Sequence, residues 1–341
     1  MVPGFIDLHV HGGGGAQCNT DDVSEIAAVA AFHARHGTTS FLATTVSAGV
    51  GELEAALRAI RSAASASPAG GGGARVLGAH LEGPFLSVDR PGAMDPATFR
   101  MPEPAVWRRL LSVGDGRVAL MTVAPELPGA LEMIAELVEA GVVVSLGHSV
   151  ASYDDAVAAV RAGARSVTHT FNGMVPLHHR APGLLGGALD LPELGCELIL
   201  DGVHVDPVLA RLLYRVKGAA GIRLVTDAIA AAGLPDGPSV LGARPVEVRG
   251  GRAVLPGTDS LAGSTLTMDA AVAGAVRWLG AGVEEAVAMA SAGPAALLGL
   301  ADRFGAIAPG FTADLVVLDE SLRAWGTLVG GRWAVEPPEL G

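Results

Sequence analysis

Residues 75–85, with the sequence RVLGAHLEGPF, place one acidic side chain at the end of an apolar run, at the point where the chain must turn. The run from residue 76 to residue 79 is typical of a buried strand, and the Gly-Pro pair after Glu82 ends it. A carboxylate in this position is costly to bury unless a positive group meets it, and a metal ion is a common partner. The stretch therefore predicts a metal ligand at a strand end, provided that other residues complete the site.

The composition is that of a folded α/β protein. The sequence has 341 residues, half of them apolar, with 47 Gly and 21 Pro, which suffices for a large core and a small accessory unit. The formal charge of -12 argues against nucleic acid or an anionic membrane as a partner, because either requires basic surface. Two cysteines, no signal peptide and no apolar run that could span a bilayer predict a cytoplasmic protein.

Short runs rich in Val, Ile and Leu alternate with Ala-rich helical stretches. The predicted strands are 4–11, 39–46, 75–82, 118–124, 142–148, 166–171, 196–203 and 222–226. The predicted helices between them include 24–36, 53–64, 130–140, 153–162 and 207–217. Eight such repeats favour a (β/α)8 TIM barrel over an open doubly wound sheet.

The remaining segments differ from this pattern. A loop is predicted at 63–74, which contains a run of glycines, and helices are predicted within 268–300. The other predicted elements are a hairpin formed by 239–248 and 252–255, and short strands at 315–318 and 328–335. We therefore assign 1–238 and 256–304 to the barrel, and 239–255 and 305–341 to a small β domain.

Imidazole and carboxylate side chains recur at the predicted strand ends, the face where such barrels keep their active sites. His9 and His11 lie on one face of the first strand, because side chains alternate with a period of two. An isolated His-x-His pair is as often two ordinary residues at a strand end as it is a pair of metal ligands. The further candidates at strand ends are Glu82, His148, His169 and Asp227. This mixed set suits Zn²⁺ or Fe²⁺ better than Mg²⁺ or Ca²⁺.

Asp227 is the candidate acid/base. Beside a metal-activated water, its carboxylate can take a proton during attack and return it to the leaving group. The alternative is that Asp227 caps a helix that follows the strand.

Other residues are candidates for substrate contacts. His204 follows the seventh strand, Asn172 and Gly173 follow the sixth, and Arg180 is a natural anion clamp in an acidic protein. Spacing alone favours a solvated surface arginine at position 180. Cys18 lies in the loop after His11, where a structural thiol is the simpler interpretation.

Several motifs together resemble one family. They are PGFIDLHVHG at 3–12, HLEGPF at 80–85, APE at 124–126, GHS at 147–149, THTFNGM at 168–174, HHRAPG at 178–183, DGVH at 201–204, TDA at 226–228 and LAGS at 261–264. This series, which covers nearly the whole chain in order, resembles the amidohydrolase superfamily and specifically the N-acetylglucosamine-6-phosphate deacetylase family.

The resemblance implies roles for particular residues. It implies a principal metal held by Glu82, His148 and His169, a second site at His9 and His11 that only some members use, and Asp227 as acid/base. The sugar phosphate contacts that it implies are Ala93, Met94, Asn172, Gly173, His204, Leu261 and Arg180. Arg180 would act across the interface of a homodimer. The implied reaction is hydrolysis of an acetamide with one or two divalent ions.

The sequence departs from the family in two places. Members usually have His where this chain has Met94, and that His is thought to polarise the acetyl carbonyl. A thioether cannot donate a hydrogen bond, so a lower rate, an altered substrate or compensation by a second metal are all open. The family also has a β-rich segment before the PGFID motif. We therefore expect a β-sandwich domain that lacks its N-terminal part and has exposed strand edges, and we expect a chain extended upstream to be more stable.

The resemblance thus implies a cytoplasmic metal-dependent deacetylase of N-acetylglucosamine 6-phosphate. The galactosamine 6-phosphate epimer or another amidohydrolase substrate is the enzymatic alternative. A non-catalytic protein that binds sugar phosphates is the alternative from another class, although binding alone requires no acid/base.

Overall fold

The computed structural model describes residues 1–66 and 72–337. Its central sheet has eight parallel strands whose neighbours in space are also neighbours in sequence. The strands are β1 Phe5–Val10, β2 Thr38–Thr45, β3 Arg75–Glu82, β4 Val118–Val123, β5 Val143–Leu146, β6 Ser166–Val167, β7 Gly195–Ile199 and β8 Ile222–Val225. The predicted TIM barrel is confirmed.

The barrel closes where β1 meets β8. The backbone N–H of Asp227 donates to the carbonyl of His9 at 2.9 Å, and that of His11 donates to Ala228 at 2.8 Å. The fully buried Asp7 also joins the two strands, since it accepts a 2.6 Å hydrogen bond from the hydroxyl of Thr226. Burial raises the pKa of Asp7 to about 7. These contacts bring the first and last strand ends together at one rim.

Helices cover the outside of the barrel. They are α1 Val23–Ala34, α2 Val50–Ser65, α3 Pro104–Gly114, α4 Ala130–Glu139, α5 Tyr153–Ala162, α6 Gly183–Asp190, α7 Pro207–Lys217, α8 Met268–Gly274, α9 Val283–Ala290 and α10 Ala292–Leu297. Ser152 and Asp155 form a capping box at the start of α5, the usual reason for a sharp helix start. No helix within 1–66 and 72–337 is both long and apolar enough to cross a membrane.

Several predicted strands end earlier than the apolar pattern indicates. The strand predicted at 166–171 ends at Val167, so that prediction is wrong beyond this residue. The strand predicted at 142–148 ends at Leu146, and the one predicted at 196–203 ends at Ile199. The backbone of His148 and His169 has positive φ, 47° and 28°, which a strand cannot accommodate. The chain therefore leaves the sheet just where the candidate site residues occur.

Three further sheets lie outside the barrel within the described residues, and the smallest pairs Gly12–Gly13 with Ala16–Gln17. Residues 239–248 were predicted as one strand, but the structure divides them, because Gly242 has a φ of 57° and allows a turn. The strands of this meander are β9 Gly237–Leu241, β10 Arg244–Arg249 and β11 Arg252–Val254. The tail forms β12 Leu315–Leu318, β13 Ala324–Val329 and β14 Arg332–Val335, and Val2–Pro3 pairs antiparallel with β12. Our division into two domains remains a prediction.

The predicted loop at 63–74 is partly wrong, because residues up to Ser65 continue α2. The helix extends three residues into the predicted loop, less than one turn, because Ala63 and Ala64 favour helix. Residues 67–71 of that prediction lie outside the described residues.

His33 supports the segment that follows β1. Its Nε2–H donates to the carbonyl of Gly12 at 2.9 Å, and burial lowers the pKa of His33 from 6.5 to about 4. The unfolded chain therefore binds a proton more readily, so this stabilisation is complete above pH 6.5 and is lost as the pH falls toward 4. We expect the free energy of unfolding to fall by roughly 3 kcal/mol more in the wild type than in His33→Gln between these pH values. Equal pH slopes in urea unfolding would contradict this.

Candidate functional site

Glu82 is buried at the end of β3, and four imidazole nitrogens surround its carboxylate. Nε2 of His148 and of His169 lie 3.1 and 2.9 Å from Oε1. Nε2 of His11 lies 3.2 Å from Oε2, and Nε2 of His9 lies 3.6 Å from Oε1. Burial disfavours the charge of Glu82, but without a bound cation the positive charge of His9 and hydrogen bonds from the other three imidazoles hold its pKa well below the usual range. An ionised carboxylate thus lies between two pairs of histidines.

The hydrogen bonds of the rings indicate which nitrogen faces Glu82 with a lone pair. Nδ1 of His148 lies 2.8 Å from the carbonyl of Arg90, and Nδ1 of His11 lies 3.2 Å from that of Thr44. A carbonyl only accepts, so Nδ1 carries a proton in both rings, and in the neutral form of each ring Nε2 is left with a lone pair that can bind a cation.

In their neutral forms these rings would turn lone pairs toward an acceptor-only carboxylate, an arrangement that is favourable only with a cation between them. The two Nε2 atoms of His148 and His169 are only 3.1 Å apart, so these rings converge on a single point. The ligand atoms of these side chains are grouped so that they could hold two divalent ions. One group is Glu82, His148 and His169, and the other is His9, His11 and Asp227. The donor chemistry therefore fits a divalent metal ion.

Asp227 follows β8 with a φ of 51°. Its Oδ1 lies 3.1 Å from Nε2 of His11 and 3.4 Å from Nε2 of His9. Burial disfavours its charge, but the two imidazoles lower the pKa of Asp227 to about 2. Turns, not a helix, follow it, so the interpretation as a helix cap is wrong. The carboxylate is held ionised beside His9 and His11.

Glu197 is a site residue that our sequence reasoning missed. It is fully buried in β7, its Oε2 lies 3.2 Å from Nδ1 of His9, and it accepts a 3.1 Å hydrogen bond from the backbone N–H of His169. The contact places the proton of His9 on Nδ1 and turns its Nε2 toward the cluster. The signal was present, since Glu197 is a lone carboxylate in an apolar strand, as Glu82 is.

We expect Glu197→Gln to weaken the second metal site selectively. The amide keeps the size and one acceptor but removes the charge that orients His9, so affinity at the His9 and His11 position should fall about tenfold or more. Affinity at Glu82, His148 and His169 should change less. Competitive metal titration measures both sites, with the exposed Glu132→Gln as control. Equal losses at both positions would contradict the proposed orienting role.

A cavity of about 340 Å³ opens onto the cluster, and we call it the substrate cavity. Six of the predicted contacts line it, namely Ala93, Met94, Asn172, Gly173, His204 and Leu261, together with His11, Glu82, His148, His169 and Asp227. Residues that sequence reasoning missed also line it, namely Gly92, Leu241, Asp259, Ser260 and Gly263. His9 lies beneath the cavity and is fully buried.

His204 is held at the cavity by Asp201. Nδ1 of His204 lies 2.7 Å from Oδ2 of Asp201, whose Oδ1 accepts 2.8 Å hydrogen bonds from the backbone N–H groups of Val203 and His204. Burial disfavours the charge of Asp201, but the contact with His204 leaves its pKa below the usual value. The imidazole therefore presents its other nitrogen to the cavity.

Arg180 does not line the substrate cavity. It is exposed, its guanidinium lies 2.7 Å from Nε2 of His179, and it borders a separate depression with Tyr153 and Asp154. Within one chain the structure therefore does not bring Arg180 to the site, and its action across a dimer interface stays a prediction.

Comparisons with known proteins agree with this geometry. Residues 1–333 match the model of the amidohydrolase family. The chain is 40% identical to the N-acetylgalactosamine-6-phosphate deacetylase of Escherichia coli O157:H7, with 98% of this chain and 87% of the relative covered. It is also 40% identical to the N-acetylglucosamine-6-phosphate deacetylase of Bos taurus, with 98% and 84% covered.

Solved structures give the same result. A mutant of N-acetyl-D-glucosamine-6-phosphate deacetylase from Mycobacterium smegmatis, in complex with N-acetyl-D-glucosamine-6-phosphate, is 40% identical and superposes with a TM-score of 0.93. The match covers 98% of this chain and 87% of that one. The enzyme from Thermotoga maritima is 38% identical with a TM-score of 0.90, and the match covers 98% and 88%.

Proposed function

The chain belongs to the amidohydrolase family, and from this premise we infer that it hydrolyses N-acetylglucosamine 6-phosphate to glucosamine 6-phosphate and acetate. The observation that carries this conclusion is the full-length identity of about 40% to N-acetylglucosamine-6-phosphate deacetylases, combined with a cavity that opens onto imidazoles and carboxylates. The galactosamine epimer is the less favoured substrate, because relatives from several distant organisms are named for the glucosamine compound.

The proposed chemistry assigns a task to each group of residues. Glu82, His148 and His169 would hold the principal ion, and His9 and His11 a second one. A bound divalent cation would polarise the acetyl carbonyl and make an attacking water more acidic. Asp227, ionised beside this cluster, would take the proton of that water and deliver it to the departing amine.

The sugar is assigned to the polar part of the cavity. Asn172, Gly173, His204 and Leu261 line it, and amide, imidazole and backbone groups suit sugar hydroxyls. Among the described residues that line the cavity there is no lysine or arginine, although a phosphate favours such a partner. This supports a homodimer in which the exposed Arg180 of each chain supplies the missing positive charge to the other.

The donor set favours Zn²⁺ or Fe²⁺, because imidazoles outnumber carboxylates at both positions. We further propose a cytoplasmic location, in keeping with a substrate that is a phosphorylated sugar.

One assay tests the function. The purified enzyme is stripped of metal, reloaded with defined Zn²⁺ or Fe²⁺, and supplied with N-acetylglucosamine 6-phosphate or its galactose epimer. We expect release of acetate and free amine, with a larger kcat/KM for the glucosamine compound. Binding of both sugars without release of acetate would instead support a non-catalytic binding protein.

Met94 provides a further prediction. Its side chain is buried at the substrate cavity, but its thioether accepts only weakly and cannot donate to a carbonyl oxygen. Met94→His would add a donor there, so we expect kcat for the acetyl substrate to rise, by up to about tenfold for one added hydrogen bond. Met94→Leu, which adds no donor, is the matched control. Unchanged or lower turnover in Met94→His would contradict this account.

A further inference from the structure

A second cavity lies directly behind one wall of the substrate cavity. Its volume is about 530 Å³, and we call it the outer cavity. The two cavities share three lining residues, Ala93, Met94 and Leu241, and these separate the outer cavity from the metal cluster. The rest of its lining comes from the segment after β1, from the loops after β2 and β3, from α2 and from the turn between β9 and β10.

Met94 is the movable part of this partition. It is 6% exposed, and its sulfur accepts a hydrogen bond from the backbone N–H of Ser47 at 3.4 Å. An unbranched thioether side chain has three rotatable bonds and adapts to irregular space. Rotation of this one side chain would therefore join the two cavities, whereas Ala93 has no side-chain torsion to change.

The topology of the barrel directs an acyl group toward this partition. Asn172 follows β6 and His204 follows β7, whereas Met94 lies in the loop after β3. In a barrel of eight strands, these positions face each other across the rim. Because the sugar favours the polar side and the amide must lie at the metal cluster, the acyl chain points at the apolar wall.

The outer cavity suits an uncharged hydrocarbon chain. Its inner end is formed by Val46, Met94 and Leu241, which are buried in one hydrophobic cluster. Its outer rim carries the exposed carboxylates of Asp21, Glu52 and Asp95, with Arg244 as the opposing charge. A neutral chain gains from burial at the inner end, while an anionic chain meets excess negative charge at the rim.

We propose that the enzyme also hydrolyses N-propanoyl and N-butanoyl hexosamine 6-phosphates, with the acyl chain passing Met94 into the outer cavity. This inference rests on the proposed deacetylase function. The reaction is the same hydrolysis: Asp227 takes one proton from water, the oxygen of that water bonds to the acyl carbon, the C–N bond breaks, and the nitrogen receives the proton from Asp227. The carboxylic acid that forms gives its proton to the free amine, so the products are the hexosamine 6-phosphate, as its ammonium form, and the short-chain carboxylate.

The test compares acyl groups on one sugar. The kcat/KM for N-acetyl, N-propanoyl and N-butanoyl glucosamine 6-phosphate is measured from amine release in the wild type, Met94→Ala and Ala55→Phe. Ala55 lies on α2 and lines only the outer cavity. We expect the kcat/KM for the butanoyl substrate, divided by that for the acetyl substrate, to rise about tenfold in Met94→Ala and to fall about tenfold in Ala55→Phe. This is the range for a pocket that gains or loses room for methylene groups.

Controls separate this proposal from folding and from the basal function. Ser62→Phe places the same aromatic ring at an exposed position of α2, so it should leave the ratio as in the wild type, and melting temperatures verify that the variants fold. If the wild type releases no acetate, the proposed function fails. If acetate is released but both variants keep the wild-type ratio, the deacetylase function stands and the proposal that the outer cavity accepts the acyl chain is overturned.

Discussion

Glu82→Gln is expected to release metal and abolish deacetylation together. The carboxylate lies within 3.2 Å of Nε2 of His11, His148 and His169, so both proposed ion positions depend on it. Glutamine has the same size, but its neutral amide offers one weaker oxygen ligand, and its NH₂ group cannot bind a cation. We expect metal affinity and kcat/KM each to fall more than about 100-fold, beyond the range for residues that only support ligands.

Metal content per chain after dialysis and kcat/KM under defined metal measure the two effects. Glu193→Gln, the same chemical change at an exposed position, should retain both. A Glu82→Gln protein that keeps its metal and its activity would refute the assignment. One that loses only activity would place Glu82 in the chemistry instead of in metal binding.

The sequence was informative about the barrel because its strands are buried on both faces. Such strands appear as continuous apolar runs between Ala-rich helices, and β3 was predicted with its correct bounds. The strand ends near the site were not, because apolar patterning carries no signal for the positive φ of His169 and Phe171. Backbone strain of this kind is typical of functional positions, so the errors fall where the site lies.

The candidate site shows a similar division. A carboxylate at the end of an apolar run marked Glu82, and the same rule, applied inside β7, would have marked Glu197. The position of Leu241 in the cavity wall depends on how the β9 meander folds onto the barrel, which local patterning does not encode. Arg180 is the opposite case. Its motif predicts a site residue, but within a single chain Arg180 does not line the substrate cavity.

Asp227 differs from Glu82 in what its loss should remove. Its carboxylate lies beside His9 and His11, whereas Glu82, His148 and His169 form a group of ligands that does not include it. Removal of the charge should therefore leave the principal ion in place and eliminate the group that moves the proton.

For Asp227→Asn we expect kcat to fall by about 10³-fold, within the range for loss of a general acid/base, while metal at the principal site and affinity for the sugar phosphate stay near wild-type values. An asparagine amide fills the same space but cannot accept a proton from water and return it to nitrogen. Metal analysis, calorimetric binding of N-acetylglucosamine 6-phosphate and single-turnover kinetics distinguish these effects, with the exposed Asp302→Asn as control. Turnover within tenfold of the wild type would exclude Asp227 as the acid/base, whereas simultaneous loss of the principal ion would make it a ligand whose role overlaps that of Glu82.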